Sequence, residues 1–295
     1  MKDKLFILLQ YILPQHLISR AVGRIAECTN PRVKNTFIQW FVKRYNINMS
    51  EAQIENPTEF VNFNAFFTRE LKPGIRPQDM APDAVVSPAD GAVSQLGDIE
   101  HGRIFQAKGR GYGLSTLLGG SQALADEFTN GSFATIYLSP RDYHRVHMPF
   151  AGTLRETIYV PGDLYSVNQT TAENVDQLFA RNERLVAIFD TEQGPMAMVL
   201  VGAMIVAGIE TVWSGHEAPR RHEPVRVAYQ PEQLDSIHLE KGAEMGRFKL
   251  GSTVVLLFGK DAVNWQDHLK AESPLKLGER IATTQPTPAE TAPTA

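Results

Sequence analysis

Residues 245–258 read MGRFKLGSTVVLLF, and the second half of that stretch decides the fold. Val254, Val255, Leu256, Leu257 and Phe258 form an unbroken apolar, partly β-branched run, the pattern of a buried strand. The run is reached through Leu250-Gly251-Ser252-Thr253, a glycine followed by two hydroxyl residues. One reading is local: a turn or bulge in which glycine supplies an unusual backbone geometry and the hydroxyls satisfy nearby amides. The other is that Ser252 is there for its chemistry, and the rest of the chain has to choose between the two.

Outward from this strand the texture is the same from about residue 84 onward, with short β-rich runs divided by Gly, Pro, Asp and Asn. Ala84 to Ser87, Gly91 to Leu96, Phe133 to Leu138, Gly152 to Val160, Leu185 to Asp190, Met196 to Ile209 and Ser252 to Phe258 predict antiparallel sheets or a sandwich, not alternating βαβ units. The fold class is therefore α+β: N-terminal amphipathic helices followed by a mostly antiparallel β sandwich or barrel-like core. Three regions follow: residues 1–60 helical and basic, 61–282 β-rich and the place for any catalytic chemistry, and 283–295 a tail of Thr, Pro and Ala that buries too little apolar surface to order itself.

The 295 residues are 43% hydrophobic, ample for a core, and Cys28 is the single cysteine, which excludes an intramolecular disulfide and a thiolate zinc site. A reducing, cytosolic compartment fits. The net charge of −4 conceals an asymmetry, because residues 1–50 carry eight lysines and arginines against Asp3 and Glu27, a balance of +6. These charges are interleaved with Phe6, Ile7, Leu8, Leu9, Tyr11, Ile12, Leu13, Phe37, Ile38, Trp40 and Phe41. That mixture suits an anionic lipid surface better than nucleic acid. Leu5 to Leu13, interrupted by Gln10 and stopped by Pro14, is well short of the roughly 20 residues that span a bilayer, and no small-residue cleavage site follows it. Peripheral attachment at the cytoplasmic side of the cell membrane is expected.

Beyond Pro14, the apolar residues Leu17, Ile18, Ala21, Val22, Ile25 and Ala26 recur at helical spacing. Asn30-Pro31 has the form of a helix start, and a second helix from about Arg32 to Arg44 places Phe37, Trp40 and Phe41 on one side. Both stripes can pack on the protein's own core or on lipid, and the basic charges beside the aromatics favour lipid.

Chemistry-bearing residues cluster in two places. In SPRDYHRVHMPFAGT, residues 139–153, His144 and His147 stand three apart. A metal is disfavoured because Pro140 and Pro149 bracket the pair, no Glu lies between the histidines and cysteine ligands are absent, so an acid/base pair is the better reading. In VVSPADGAVSQLGDI, residues 85–99, Asp90-Gly91 marks a tight turn, and a carboxylate on that turn could orient an imidazole.

Taken together, SPADG, YHRVHMPFAGT, PGDLYSVN (161–168), FFTRELKPGIRP (66–77) and above all GAEMGRFKLGSTVV (242–255) resemble the phosphatidylserine decarboxylases of the bacterial membrane-associated type, in order from roughly residue 60 to 270. The resemblance implies a self-cleaving chain. Ser252 Oγ attacks the Gly251 carbonyl, the ester undergoes β-elimination, and Ser252 becomes an N-terminal pyruvoyl group on the 252–295 fragment. It implies further that His147 takes the serine proton and Asp90 orients it, and that the pyruvoyl carbonyl forms a Schiff base with phosphatidylserine, releasing CO2 and leaving phosphatidylethanolamine. His144 is the candidate proton donor to the resulting carbanion. The processed large and small chains are expected to stay associated, as a homodimer of such pairs. Two rivals remain: a Ser-His-Asp hydrolase acting from an intact chain, which wants a second glycine after the serine that KLGSTV lacks, and a β-sandwich carrier module, which wants a lysine at the SPADG turn.

Overall fold

The computed structural model of the chain describes residues 2–204, 208–218, 223–229, 236–249 and 252–285. Ser252–Phe258 lies inside a nine-stranded antiparallel sheet, hydrogen-bonded to Ser132–Leu138 on one side and to Gly194–Val201 on the other. Outward from those neighbours the sheet continues through Gly91–Asp98 to Pro274–Leu275, and through Arg184–Thr191 and Gly152–Val160 to Val225–Ala228. Every pairing is antiparallel. The expected strands are all present; the longest expected run is broken, with one strand ending at Val201 and another, Gly208–Thr211, in a different sheet.

The apolar run at 254–258 is continuous because both faces of this sheet are covered. Val254, Leu256 and Phe258 join a core with Val85, Ala89, Val146, Met148, Phe248 and Ile281, whereas Val255 and Leu257 join one with Leu117, Phe128, Phe133, Phe179 and Val186. The first core is closed by two smaller antiparallel sheets. One orders Gly215–Ala218, Gly208–Thr211, Glu244–Lys249 and Arg145–His147; the other orders Ala84–Val86, Arg280–Thr284 and Val263–Trp265. The second core is closed by short helices such as Gln122–Glu127 and Gln169–Asn174. Arg280–Thr284 carries regular structure two residues past the expected boundary at 282, and the tail from 286 on lies outside the described residues.

Three helices open the chain: Lys2–Ile12, Gln15–Ala26 and Pro31–Tyr45. Pro14 separates the first two, which are bent by 87° to one another, and Asn30 caps the third by accepting from the Arg32 amide at 3.0 Å. The two stripes have different fates. Ile38 and Phe41 of the third helix are buried with Phe60, Phe63, Phe66 and Phe67 in a separate aromatic core, and Phe37 stacks on Phe63 with centroids 4.3 Å apart. Phe37 and Phe41 of that stripe pack inward, because the short helix Phe63–Phe67 offers them a matching aromatic face, whereas Trp40 is 53% exposed. Leu5, Leu8, Leu9, Ile12, Leu17 and Ile25 of the first two helices, and Leu13 between them, are exposed. No single helix among the described residues is long and apolar enough to cross a membrane.

Candidate active site

Three segments meet where the central strand begins. Ser252 is its first residue, directly opposite Leu138. Strand alternation puts the Ser252 side chain on the same face as Val254, the face covered by Ala89 of the SPADG turn and by Val146 and Met148. Beyond Leu138 the chain makes a tight turn in which the Asp142 amide donates to Ser139 O at 2.9 Å and the Asp142 carboxylate accepts from the Ser139 amide and hydroxyl. The next residues run beside Glu244–Lys249: the Phe248 amide donates to His144 O at 3.0 Å, and His147 pairs with Glu244. Leu138 therefore lies opposite Ser252 and His144–His147 beside Glu244–Phe248, which sets the histidines along the strand that precedes the serine in the chain. Leu250 and Gly251 lie outside the described residues.

Ser252 is fully buried, and its Oγ has no hydrogen-bond partner. A buried hydroxyl without a partner is destabilising by about 1–3 kcal/mol, a cost that Thr253 and Thr135 share with Ser252 on the same sheet. His144 is also fully buried, packed on Phe67 with ring centroids 4.0 Å apart. Its Nδ1 lies 2.8 Å from Asp142 O, and since a carbonyl only accepts, Nδ1 carries the proton; Nε2 is a bare, unpartnered nitrogen. Burial, helped by the positive field of Arg69 and opposed by the Asp142 carbonyl and Asp90, lowers the His144 pKa to about 3.

His147 is half-buried and held at both nitrogens: Nδ1 donates to Gly242 O at 2.8 Å, and Nε2 lies 3.3 Å from the Tyr143 hydroxyl. Burial depresses its pKa as well, partly offset by the Gly242 carbonyl and Glu244, so it too is a neutral base. Gly242 occupies a left-handed turn at φ +83°, a conformation that favours glycine, and its amide returns to Met148 O at 2.8 Å. The orienting contact expected from Asp90 is thus made by a backbone carbonyl. Asp90 itself is buried and receives Arg76 Nη2 at 2.6 Å and Nε at 2.9 Å, the Leu277 amide at 2.9 Å and Lys276 Nζ at 3.4 Å. Burial pushes its carboxyl pKa up, but Arg76, the Leu277 amide and Lys276 together hold it below the usual value. A guanidinium gripping with two nitrogens outcompetes a neutral imidazole for that carboxylate. Asp90 still acts on both histidines through its field, favouring their protonated forms, and its turn is fixed to His147, whose amide donates to Pro88 O at 2.8 Å.

Arg76, Tyr143 and Gly242 complete this set and carried no role in the sequence reading. Two of them stand inside motifs quoted for the resemblance, and Gly242 opens the longest of these, but a backbone carbonyl aimed at a ring 95 residues away leaves no mark in residue type.

What these segments gather near the head of an antiparallel central strand is a buried, unpartnered serine hydroxyl, two histidines with lowered pKa values and a buried carboxylate held by Arg76. The sequence model of the family described as phosphatidylserine decarboxylase matches residues 63–283, and a second, described as PSD, matches residues 5–46. The chain is 64% identical over 281 residues to the phosphatidylserine decarboxylase proenzyme of Pseudomonas fluorescens, an alignment covering 95% of this chain and 98% of that one. It is 63% identical over 282 residues to the proenzyme of the same name from Pseudomonas entomophila, covering 96% and 98%. The chain belongs to the phosphatidylserine decarboxylase family.

Proposed function

We propose that this chain is made as a proenzyme that cuts itself between Gly251 and Ser252 and then converts phosphatidylserine to phosphatidylethanolamine and CO2. The observation that supports the reading is the Ser252 hydroxyl, fully buried and unpartnered at the head of the central strand. Ser252 Oγ attacks the Gly251 carbonyl while His147 Nε2 accepts its proton, with Nδ1 held by Gly242 O and the imidazolium favoured by the field of Asp90. Breaking the C–N bond gives an ester; removal of the Ser252 Cα proton expels the Gly251 carboxylate and leaves dehydroalanine, whose imine tautomer takes up water and loses ammonia. The product is a pyruvoyl group on the small chain. Position 252 fits such a group in one respect: its side chain is fully buried and has no hydrogen bond to give up.

When formed, that group supplies an electrophilic carbonyl that takes the substrate amine and draws electrons from the bond to the carboxylate. His144 Nε2 is assigned the delivery of a proton to the carbon that CO2 leaves: bare in the resting fold, it relays a proton drawn from solvent, its ring fixed by Asp142 O and Phe67. Burial of Ser252 speaks against the hydrolase rival, which must admit an outside acyl group to an intact chain. The exposed apolar face of the first two helices would rest on the cytoplasmic leaflet of the cell membrane, and two processed pairs would associate as a dimer.

Purified wild-type protein should run as two chains, residues 1–251 and 252–295, the smaller blocked to Edman degradation, and Ser252→Ala should stay intact. Fresh wild-type protein that keeps a single full-length mass would overturn the reading.

A further inference from the structure

The motif FFTRELKPGIRP at 66–77 supplies Arg76 to Asp90 and leaves a second cation without any such use. Arg69 is only 5% exposed. Its Nη2 donates to Arg141 O at 3.2 Å and its guanidinium lies 5.5 Å from the Phe66 ring centroid, but Nε and Nη1 have no hydrogen-bond partner. Arg184, equally buried, shows how an arginine with a purely structural task is treated, its nitrogens donating to the carbonyls of Leu117, Ala180, Asn182 and Thr116.

The carboxylates whose field reaches Arg69 are those of Asp90, Glu51 and Asp142, and each has a nearer partner. Asp90 and Glu51 are bound by Arg76, and Asp142 by Ser139. A buried guanidinium with unused donors is held at a large energetic disadvantage unless an anion joins it. Arg69 meets the turn Ser139–Asp142, which links Leu138, the strand partner of Ser252, to His144, and its field reaches His144, so an anion taken by its free donors would lie beside the reaction site.

We propose, resting on the decarboxylase reading above, that Arg69 is the residue that receives the phosphodiester of the phospholipid head group, through its free Nε and Nη1 donors. The head group brings two anions, and chemistry separates them. The carboxylate departs as neutral CO2, so a cation gripping it would hold the ground state more tightly than the transition state and slow the step. The phosphodiester keeps its charge throughout, so a cation there binds both states equally and is felt in KM.

The test uses full-length protein and phosphatidylserine in non-ionic detergent micelles, with glycerophosphoserine and inorganic phosphate as soluble competitors. Arg69→Gln should be processed to two chains, keep kcat within about threefold, raise KM by about tenfold or more, and lose competition by glycerophosphoserine; Arg69→Lys should fall between it and wild type. An unchanged KM, a collapse of kcat alone, or competition that persists in the variant would overturn the proposal. So would inorganic phosphate competing with the wild type as well as the diester does, which would assign Arg69 to free phosphate, or failure of both variants to be processed, which would place Arg69 in precursor cleavage. Wild-type protein that is cut yet releases no CO2 from phosphatidylserine fails the decarboxylase reading instead, before any variant is compared.

Discussion

A histidine with Nδ1 fixed on a carbonyl and Nε2 sealed from water, as His144 is, makes the folded state sensitive to acid. Its pKa rises from about 3 in the fold to about 6.5 in the unfolded chain, so between those values the unfolded state binds the extra proton. The stability this gives is complete above pH 6.5 and is lost as pH falls toward 3, on the order of a few kcal/mol in all, and His147, shifted the same way, adds to it. Asp90 contributes its own loss mainly near and below its unfolded value of 3.8, and Glu183, whose raised pKa acts in the opposite sense between pH 6 and 4.5, is common to both proteins compared, so the difference between them across that interval reports His144. His144→Phe, which keeps a ring against Phe67, should lose markedly less stability than wild type across that interval, read as urea midpoints at the two pH values; an equal loss in both proteins would show that His144 is not the group responsible. At this scale Ser252, Asp90, His144 and His147 were legible because their types and spacing imply chemistry and the resemblance gave each a role. Gly242's carbonyl, which sets the His147 tautomer, and Arg76's claim on Asp90 were not, because they are contacts between residues 95 and 14 positions apart.

At the scale of elements, the helix pair Lys2–Ile12 and Gln15–Ala26 is keyed to the segment PGDLYSVN by buried amides. Gln10, 3% exposed amid an otherwise apolar run, accepts from the Ser166 amide at 2.9 Å; Gln15 accepts from the Leu164 amide at 2.6 Å and donates to Gln10 O at 2.7 Å. His16 reaches Gly162 O at 3.0 Å, and Tyr11 meets Tyr165 edge-on at 5.4 Å. In the sequence Gln10 reads as a flaw in a membrane stripe. In the fold it is the pin that turns the opposite face outward. The strands were more legible than this docking because burial on both faces writes itself as continuous β-branched runs, whereas one glutamine in a helix says nothing of its partner. Gln10→Ala should leave the Ser166 amide unpaired, costing about 1–3 kcal/mol locally. Hydrogen exchange across 161–168 should then accelerate by at least tenfold while exchange in Ser252–Phe258 stays slow. Unchanged protection at Ser166 would mean that the helices do not hold that segment.

For the whole molecule, a cut after Gly251 would not release the small chain, because Ser252–Phe258 is flanked by strands of the large chain on both sides and Pro274–Leu275 and Arg280–Thr284 pair with Gly91–Asp98 and Ala84–Val86. The same connectivity restricts how membrane contact can be tested. Removing the third helix, Pro31–Tyr45, would uncover Phe63 and Phe67, and Phe67 is the ring against His144, so loss of activity in such a truncation would say nothing about lipid. The exposed face of the first two helices can be altered alone. Leu5, Leu8, Ile12 and Leu17 are each more than half exposed, so replacing all four with Ser leaves Gln10, Gln15 and the aromatic core in place. Burying those side chains in the interface is worth about 1.5–3 kcal/mol each at full burial, so the quadruple variant should lose most co-sedimentation with phosphatidylserine vesicles while still running as two chains. Raising salt should weaken the wild type only in part, because screening reaches charges such as Arg20 and Arg24 and not the apolar contacts. Equal sedimentation of variant and wild type through the salt series would show that this face is not the one that meets the lipid.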